Sequence, residues 1–215
     1  TREAEKKSRQ LIARVRKFNP EAKIFVCGCA SEKDKKSFEE KGVAFVAGAR
    51  DKERVLEAFS REFGCKISGL HYPKQPRSRS FIKINDGCNY FCSYCFIPYL
   101  RGRERSRTVE DILNEIAATA CPEIVLNGIN ISSFEGGLAK LINSLQGVDK
   151  RIRLGSLECS IIDENLLDAL KNLKDFAPQF HLSLQSGSDA VLKAMNRRYT
   201  RAEYLKKCRL IYEYF

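Results

Sequence analysis

The stretch Phe81-Ile82-Lys83-Ile84-Asn85-Asp86-Gly87-Cys88-Asn89-Tyr90-Phe91-Cys92-Ser93-Tyr94-Cys95 joins a short strand-like run to three cysteines in a C-x3-C-x2-C array. Three thiolates in one loop can hold three irons of a cubane iron–sulfur cluster and leave the fourth iron without a protein ligand. That open iron is where chemistry would take place. The competing account is zinc, which normally closes tetrahedrally with a fourth Cys or His from a second paired motif. The chain offers only His71 and His181, neither at ligand spacing. The cluster is therefore preferred, with a non-catalytic, zinc-stabilised RNA-binding module as the alternative.

Working outward, strands are expected at about Phe81–Asn85, Glu123–Asn127, Arg151–Gly155 and Phe180–Leu184. They alternate with helices at about Val109–Ala120, Leu138–Leu145, Glu164–Leu173 and Ala190–Met195, and a last helix begins near Arg201. Such alternation predicts a parallel βα sheet with right-handed crossovers, the first part of an open or closed barrel. The working face of such a fold lies at the C-terminal ends of its strands. There the sequence places the cysteine loop, then Gly128 and Asn130, then Glu158, then Gln185 in Gln185-Ser186-Gly187-Ser188-Asp189. Gly128 and Gly187 can also be explained as turn residues, and Ser188 or Asp189 as helix caps. Arg101, Arg103, Arg105 and Arg107 follow the cysteine loop, with Thr108 placed to cap the next helix. Arginine forks suit carboxylate or phosphate oxygens. Arg197, Arg198 and Tyr199 form a second group, in which Tyr199 could stack on a base. A solvated basic surface is the plain alternative for both groups.

Upstream, Arg2 to Phe18 reads as a basic amphipathic helix and Lys23 to Cys27 as a buried strand, with Cys27 as a small hydrophobe. A loop carries Gly28 and Cys29. Ser31 is expected to cap a helix through about Lys41, Val43 to Ala47 to form a second strand, and Asp51 to cap a helix through about Glu62. Residues 1–63 thus read as the latter part of a small α/β domain, 64–80 as a basic, Pro- and Gly-containing linker, and 81–215 as the first part of the barrel domain. The chain starts at Thr1 and stops within an apolar-periodic segment, so it reads as an internal fragment of a longer protein.

With 43% hydrophobic residues over 215 positions, the chain can bury a core and is not a disordered polymer. Its net charge of +11 is the footprint expected of a nucleic-acid partner. Nine cysteines without a signal peptide point to a reducing, cytoplasmic setting in which thiols serve metals. No apolar run is long enough to span a membrane. Cys65, Cys121, Cys159 and Cys208 lack partners at ligand spacing and read as core or surface thiols.

The triplet, with Tyr94 just before its third cysteine, resembles the cluster loop of the radical S-adenosylmethionine (SAM) enzymes. That resemblance implies SAM on the open iron, reductive cleavage to a 5′-deoxyadenosyl radical, and an electron donor protein. More narrowly, the chain resembles the methylthiotransferases. Ala4-Glu5-Lys6-Lys7-Ser8-Arg9-Gln10 and Val26-Cys27-Gly28-Cys29-Ala30 are similar to part of that family's N-terminal domain. By this match Cys29 is one of three ligands of an auxiliary 4Fe-4S cluster, the other two lying outside this chain. Gly128-Ile129-Asn130-Ile131-Ser132-Ser133, Arg153-Leu154-Gly155-Ser156-Leu157-Glu158, His181-Leu182-Ser183-Leu184-Gln185 and Met195-Asn196-Arg197-Arg198-Tyr199-Thr200 look like the branch acting on N6-threonylcarbamoyladenosine at tRNA position 37.

Two departures are visible. Cys159 stands where proline is expected, and Asn127 where threonine is common. The resemblance implies two 4Fe-4S clusters, one on Cys88, Cys92 and Cys95, and a tRNA anticodon loop as substrate. The radical would take hydrogen from adenine C2, the second cluster would supply or relay sulfur, and another SAM would give the methyl group. Tyr94, Gly128, Asn130, Glu158, Gln185 and Arg101 then become candidates for holding SAM. Arg103, Arg105, Arg197, Arg198 and Tyr199 become candidates for RNA. Methylthio transfer to isopentenyladenosine-37 or to a ribosomal protein is the alternative within the family.

Overall fold

The computed structural model describes residues 2–66 and 78–215; most of the expected linker, with His71 and Arg77, lies outside the described residues. Within them the chain separates into two compact units, one of residues 2–66 with 99–102, the other of 78–98 with 103–215.

The first unit runs α1 (Arg2–Phe18), β1 (Phe25–Cys27), α2 (Cys29–Lys33), α3 (Lys36–Glu39), β2 (Phe45–Ala47) and α4 (Glu53–Phe63). β1 and β2 are parallel, with Phe25 opposite Phe45 and Cys27 opposite Ala47. Ile12, Phe38 and Val46 form the core. Three expectations are corrected here. Ser31 caps nothing: it is buried, and its hydroxyl donates to the Ala47 and Gly28 carbonyls at 2.6 and 3.0 Å, tying the start of α2 to the end of β2. The single helix expected to Lys41 breaks at Asp34, whose Oδ1 accepts the Ser37 N–H at 3.2 Å, a local bond that competes with helix continuation. The residue preceding α4 is Lys52, with no side-chain cap, and Asp51 lies outside the helix.

The second unit begins with β3 (Arg79–Asp86); α5 (Ile97–Arg101) comes next in the chain, its residues from Tyr99 on grouping with the first unit, and the second unit resumes with β4 (Arg105–Ser106), α6 (Val109–Ala118), β5 (Glu123–Gly128) and α7 (Leu138–Ser144). The chain continues through β6 (Arg151–Leu154), β7 (Ser156–Leu157), α8 (Glu164–Lys171), β8 (His181–Leu182), α9 (Asp189–Ala194) and α10 (Arg201–Tyr214). β3, β5 and β6 pair in parallel, and β4 adds an antiparallel edge to β3. One face of the sheet carries Ile82, Ile84, Ile124, Leu126, Ile152 and Leu154 into a core completed by Ile112, Ile116, Leu141, Ile142, Leu167 and Leu170 of the crossover helices. A charged ladder crosses the sheet at its N-terminal end: Glu123 accepts from Arg79 at 3.0 Å and from Arg153 at 2.6 Å. The strand periodicity of two sorts these residues between faces.

The fourth strand departs from expectation. Residues 175–177 run beside β6, where Ile152 bridges Phe176, and the chain pairs again only at β8, which is parallel to β7. Pro178 lies between the two stretches and has no N–H to give to a ladder. The sheet is thus a curled, mostly parallel half-barrel with a break at Gly155 and Pro178.

Thr108 caps α6 as the sequence suggests, its hydroxyl accepting the Asp111 N–H at 3.2 Å. Thr108→Ala should cost about 1 kcal/mol, read as a lower urea midpoint at unchanged slope. An unshifted midpoint would show the cap to be idle. No helix among the described residues is long and apolar enough to cross a membrane.

Candidate metal centre and its rim

The cysteine loop leaves the end of β3, where the pairing register with β5 shifts between Lys83 and Asn85. A bulge at that point re-aims the strand. Buried Asn85 lies across Gly128: a Cβ on that glycine would sit 2.0 Å from Asn85 Oδ1, so only glycine fits there. The same Asn85 donates to the Asn130 carbonyl, drawing together the loops after β3 and β5. Asn130 itself is 8% exposed, and its Nδ2 has no hydrogen-bond partner among the described residues.

Cys88, Cys92 and Cys95 are all free and partly exposed. The Cys95 N–H bonds the Cys92 carbonyl at 2.9 Å, and the Tyr90 N–H points at Cys88 Sγ at 3.5 Å. Burial pushes the Cys88 thiol above its ordinary range; the Tyr90 N–H pulls the other way, and the Cys92, Cys95 and Glu104 charges add to the rise. Among the described residues, no three His, Cys, Asp or Glu side chains close on one point as the ligands of a single metal ion must. Cys88, Cys92 and Cys95 are nonetheless three free thiols on one short loop, the donor set that would hold three irons of a cubane cluster.

The loop is clamped by the end of α9. There Asn196 adopts a left-handed backbone with φ 56°, its N–H bonds the Lys193 carbonyl at 3.0 Å, and the Arg197 N–H bonds the Leu192 carbonyl at 2.9 Å. This is a Schellman turn, whose left-handed position is usually glycine and sometimes, as here, asparagine. It turns the chain back over the cysteine loop. Asn196 Nδ2 donates to the Phe91 and Tyr90 carbonyls at 3.0 and 3.3 Å. The Ser93 hydroxyl and N–H donate to the Ala194 and Met195 carbonyls at 3.0 and 3.2 Å. Arg198 lies 5.1 Å over the Tyr90 ring and Arg103 4.7 Å over the Phe91 ring. Among the described residues, the non-glycine positions with positive φ are Phe91, Gln185 and Asn196, all on these rim loops. Local strain of this kind concentrates where surrounding structure holds a site in place.

Arg197 is the most constrained side chain of the clamp, 5% exposed. Its Nη1 donates to Cys92 Sγ at 3.4 Å, and its Nη2 donates to both carboxylate oxygens of Glu158 and to the Ser183 carbonyl at 3.5 Å. Its Nε is buried with no hydrogen-bond partner among the described residues. Burial works against the guanidinium charge, but Cys92 and Glu158 outweigh it and hold the pKa above the usual arginine value. Glu158 is fixed from the other side, its N–H bonding the Ser132 hydroxyl at 2.8 Å.

Several side chains sit differently from expectation. Tyr199 does not present a ring for stacking: it is 7% exposed, packed with Cys159, Leu192 and Tyr204, and its hydroxyl donates to the Ser183 and Leu184 carbonyls at 2.5 and 2.8 Å. Arg197 is likewise turned inward, onto Cys92 and Glu158, and not exposed as an RNA contact would be. Arg107 is spent locally on Glu115, the Lys83 carbonyl at 3.0 Å and the Asp111 carbonyl at 3.2 Å. Ser188 makes no side-chain cap to α9, and Asp189 accepts the Arg201 N–H at 2.6 Å. In the first unit Cys27, expected to be buried, is exposed. Cys29 is partly exposed and opens α2 instead of lying in a loop. Tyr94, Gln185, Arg103 and Arg198 are exposed on their loops and Arg105 on β4, while Arg101 is half-buried at the end of α5. Asn196 and Ser93 were missed as rim residues; an asparagine just past a helix end was the available signal.

Cys159 is buried, and burial first, then the Glu158 charge, pushes its thiol up to about 11. At pH 8 only about a thousandth of it is thiolate, so iodoacetamide should label it at least about a hundredfold more slowly than exposed Cys65. Peptide mass spectrometry showing comparable rates would refute this burial.

Comparison with known proteins gives a consistent result. A profile of the radical SAM superfamily matches residues 82–215. The chain is 39% identical to the threonylcarbamoyladenosine tRNA methylthiotransferase MtaB of Chlamydia pneumoniae over 95% of its length, and 35% identical to the tRNA-2-methylthio-N(6)-dimethylallyladenosine synthase of Syntrophomonas wolfei over 91%. It spans 51% and 50% of those proteins, about half the length of each. Its fold resembles the radical SAM methyltransferase TsrM from Kitasatospora setae, with a TM-score of 0.74 at 13% identity, covering 97% of this chain and 51% of that one.

Proposed function

Because the chain belongs to the radical SAM superfamily, we propose that it is part of a tRNA methylthiotransferase, adding a methylthio group to C2 of N6-threonylcarbamoyladenosine at tRNA position 37. The observation that supports this most directly is the three-thiol loop clamped at the rim of the half-barrel, taken with the 39% identity to an MtaB. Cys88, Cys92 and Cys95 would hold three irons of a 4Fe-4S cluster. When bound, that cluster supplies the electron that cleaves SAM.

The chain's own residues do the rest of the positioning. Asn85 and Gly128 hold two rim loops together, Asn196 and Ser93 fix the cysteine loop, and Arg197 neutralises Glu158 beside Cys92. Asn130, whose buried amide has no partner among the described residues, and exposed Gln185 and Tyr94 are side chains suited to meeting SAM. Arg103, Arg105 and Arg198, exposed in a chain of net charge +11, are suited to the phosphates of an anticodon loop. Cys29 would ligate an auxiliary 4Fe-4S cluster with two further cysteines of the full-length protein. An electron donor protein would serve the enzyme, and the setting would be cytoplasmic. The S. wolfei relative supports a second reading, in which the substrate is the isopentenyl-type adenosine.

The test is anaerobic reconstitution of the full-length protein with iron and sulfide, followed by nucleoside mass spectrometry of tRNA from a deletion strain. Charge-transfer absorbance, 5′-deoxyadenosine from SAM, and loss of 2-methylthio-N6-threonylcarbamoyladenosine are expected. Zinc without that absorbance would favour the binding module. Loss of the isopentenyl-type nucleoside instead would select the second substrate.

A further inference from the structure

We propose that Arg197 is a positioning residue for the Cys92 thiolate, and that with Glu158 as its counter-charge it sets how readily the cluster accepts an electron. This rests on the cluster assignment above.

Hydrogen bonds to cluster sulfurs and local charge are among the main controls on iron–sulfur reduction potentials. Arg197 supplies both at one ligand. Nη1 reaches Cys92 Sγ at 3.4 Å, and the side chain is 5% exposed, so water screens it weakly. The guanidinium is held from three directions: the Glu158 carboxylate, the Ser183 carbonyl and the face of Tyr199, whose ring centroid lies 5.2 Å from it. The buried Nε keeps a further donor without a partner among the described residues, on a group already in contact with a ligand thiol. The Schellman turn fixes where residue 197 leaves α9, so the donor is placed by the fold and not by a mobile side chain. An added electron makes the cluster more negative, and a buried cation bonded to one of its thiolates stabilises that state over the oxidised one. Arg197 therefore raises the potential, and Glu158 moderates the effect while holding the fork in place.

The test uses the full-length protein, reconstituted anaerobically without SAM, in a Cys29→Ala background so that one cluster dominates the signal. Parent, Arg197→Met, Arg197→Lys and Glu158→Gln proteins are poised at a series of potentials, and the reduced fraction is read by electron paramagnetic resonance. At the parent's midpoint, Arg197→Met should show a roughly tenfold lower ratio of reduced to oxidised cluster, equivalent to about 59 mV for one electron. Glu158→Gln should shift in the opposite direction, because a cation loses its counter-charge. Arg197→Lys, which keeps the charge and loses the fork, should fall between parent and Arg197→Met.

A merely structural pair would not give opposite signs. The proposal is overturned if Arg197→Met titrates within twofold of the parent, or if Glu158→Gln moves the same way as Arg197→Met. Should Arg197→Met fail to fold, the Lys and Gln variants decide, since each keeps a hydrogen-bonding side chain in place. A parent that takes up no iron on the triplet would instead defeat the cluster assignment itself.

Discussion

Cys92→Ala in the full-length protein is expected to remove one cubane from the protein, about four irons, and to lower 5′-deoxyadenosine formation from SAM by at least about a thousandfold. The loss should be near total because a three-ligand cluster has no spare thiol to replace a missing one. Cys92 also sits at the centre of the clamp, with its carbonyl bonded to the Cys95 N–H and its sulfur to Arg197, so the loop loses an anchor as well as a ligand. Cys65→Ala is the control, since that thiol is exposed in the other unit and has no part in the site. Iron counting with absorbance spectroscopy checks the result. Full iron content and SAM cleavage in Cys92→Ala would remove the triplet from the chemistry.

Leu126→Ala should be among the most damaging single changes to stability, at about 3–5 kcal/mol. The side chain is fully buried, on the strand that pairs with both β3 and β6. Its neighbours Ile82, Leu154 and the crossover helices cannot collapse inward without disturbing the strand ladders. Urea unfolding followed by circular dichroism gives the measurement, fitted separately for two transitions if the two units unfold apart. A loss below about 1 kcal/mol would mean that this core repacks far more freely than close packing allows.

The βα alternation was legible because each element carries its own local signal: apolar–polar alternation in β3 and β6, an apolar run in β5, helical periodicity for α6 and α8, and Thr108 at a helix start. The cysteine loop was equally plain, since its spacing alone carries the chemistry. What sequence could not supply was pairing between distant residues. Arg197 and Cys92 are separated by 105 positions, and nothing periodic links a basic residue after α9 to a thiol after β3. The expected RNA-facing role of Tyr199 came from residue type; its burial is decided by Cys159, Leu192 and Tyr204, contacts made only after folding. Cys27 was misjudged because a three-residue strand at the edge of a small sheet need not bury its last position. Pro178 did announce the interrupted fourth strand, through its missing donor, and was the one available clue passed over.

The turn at the end of α9 also works as a ruler. The bond from the Arg197 N–H to the Leu192 carbonyl fixes the five residue steps from Leu192, inside α9, to Arg197. Each residue of a helix advances about 100° around its axis, so adding or deleting one within α9 would swing Arg197 well away from Cys92. Variation in this protein is therefore expected as substitution and not as insertion or deletion between Leu192 and Arg197, and any graft of this rim onto another barrel must carry that span at its native length.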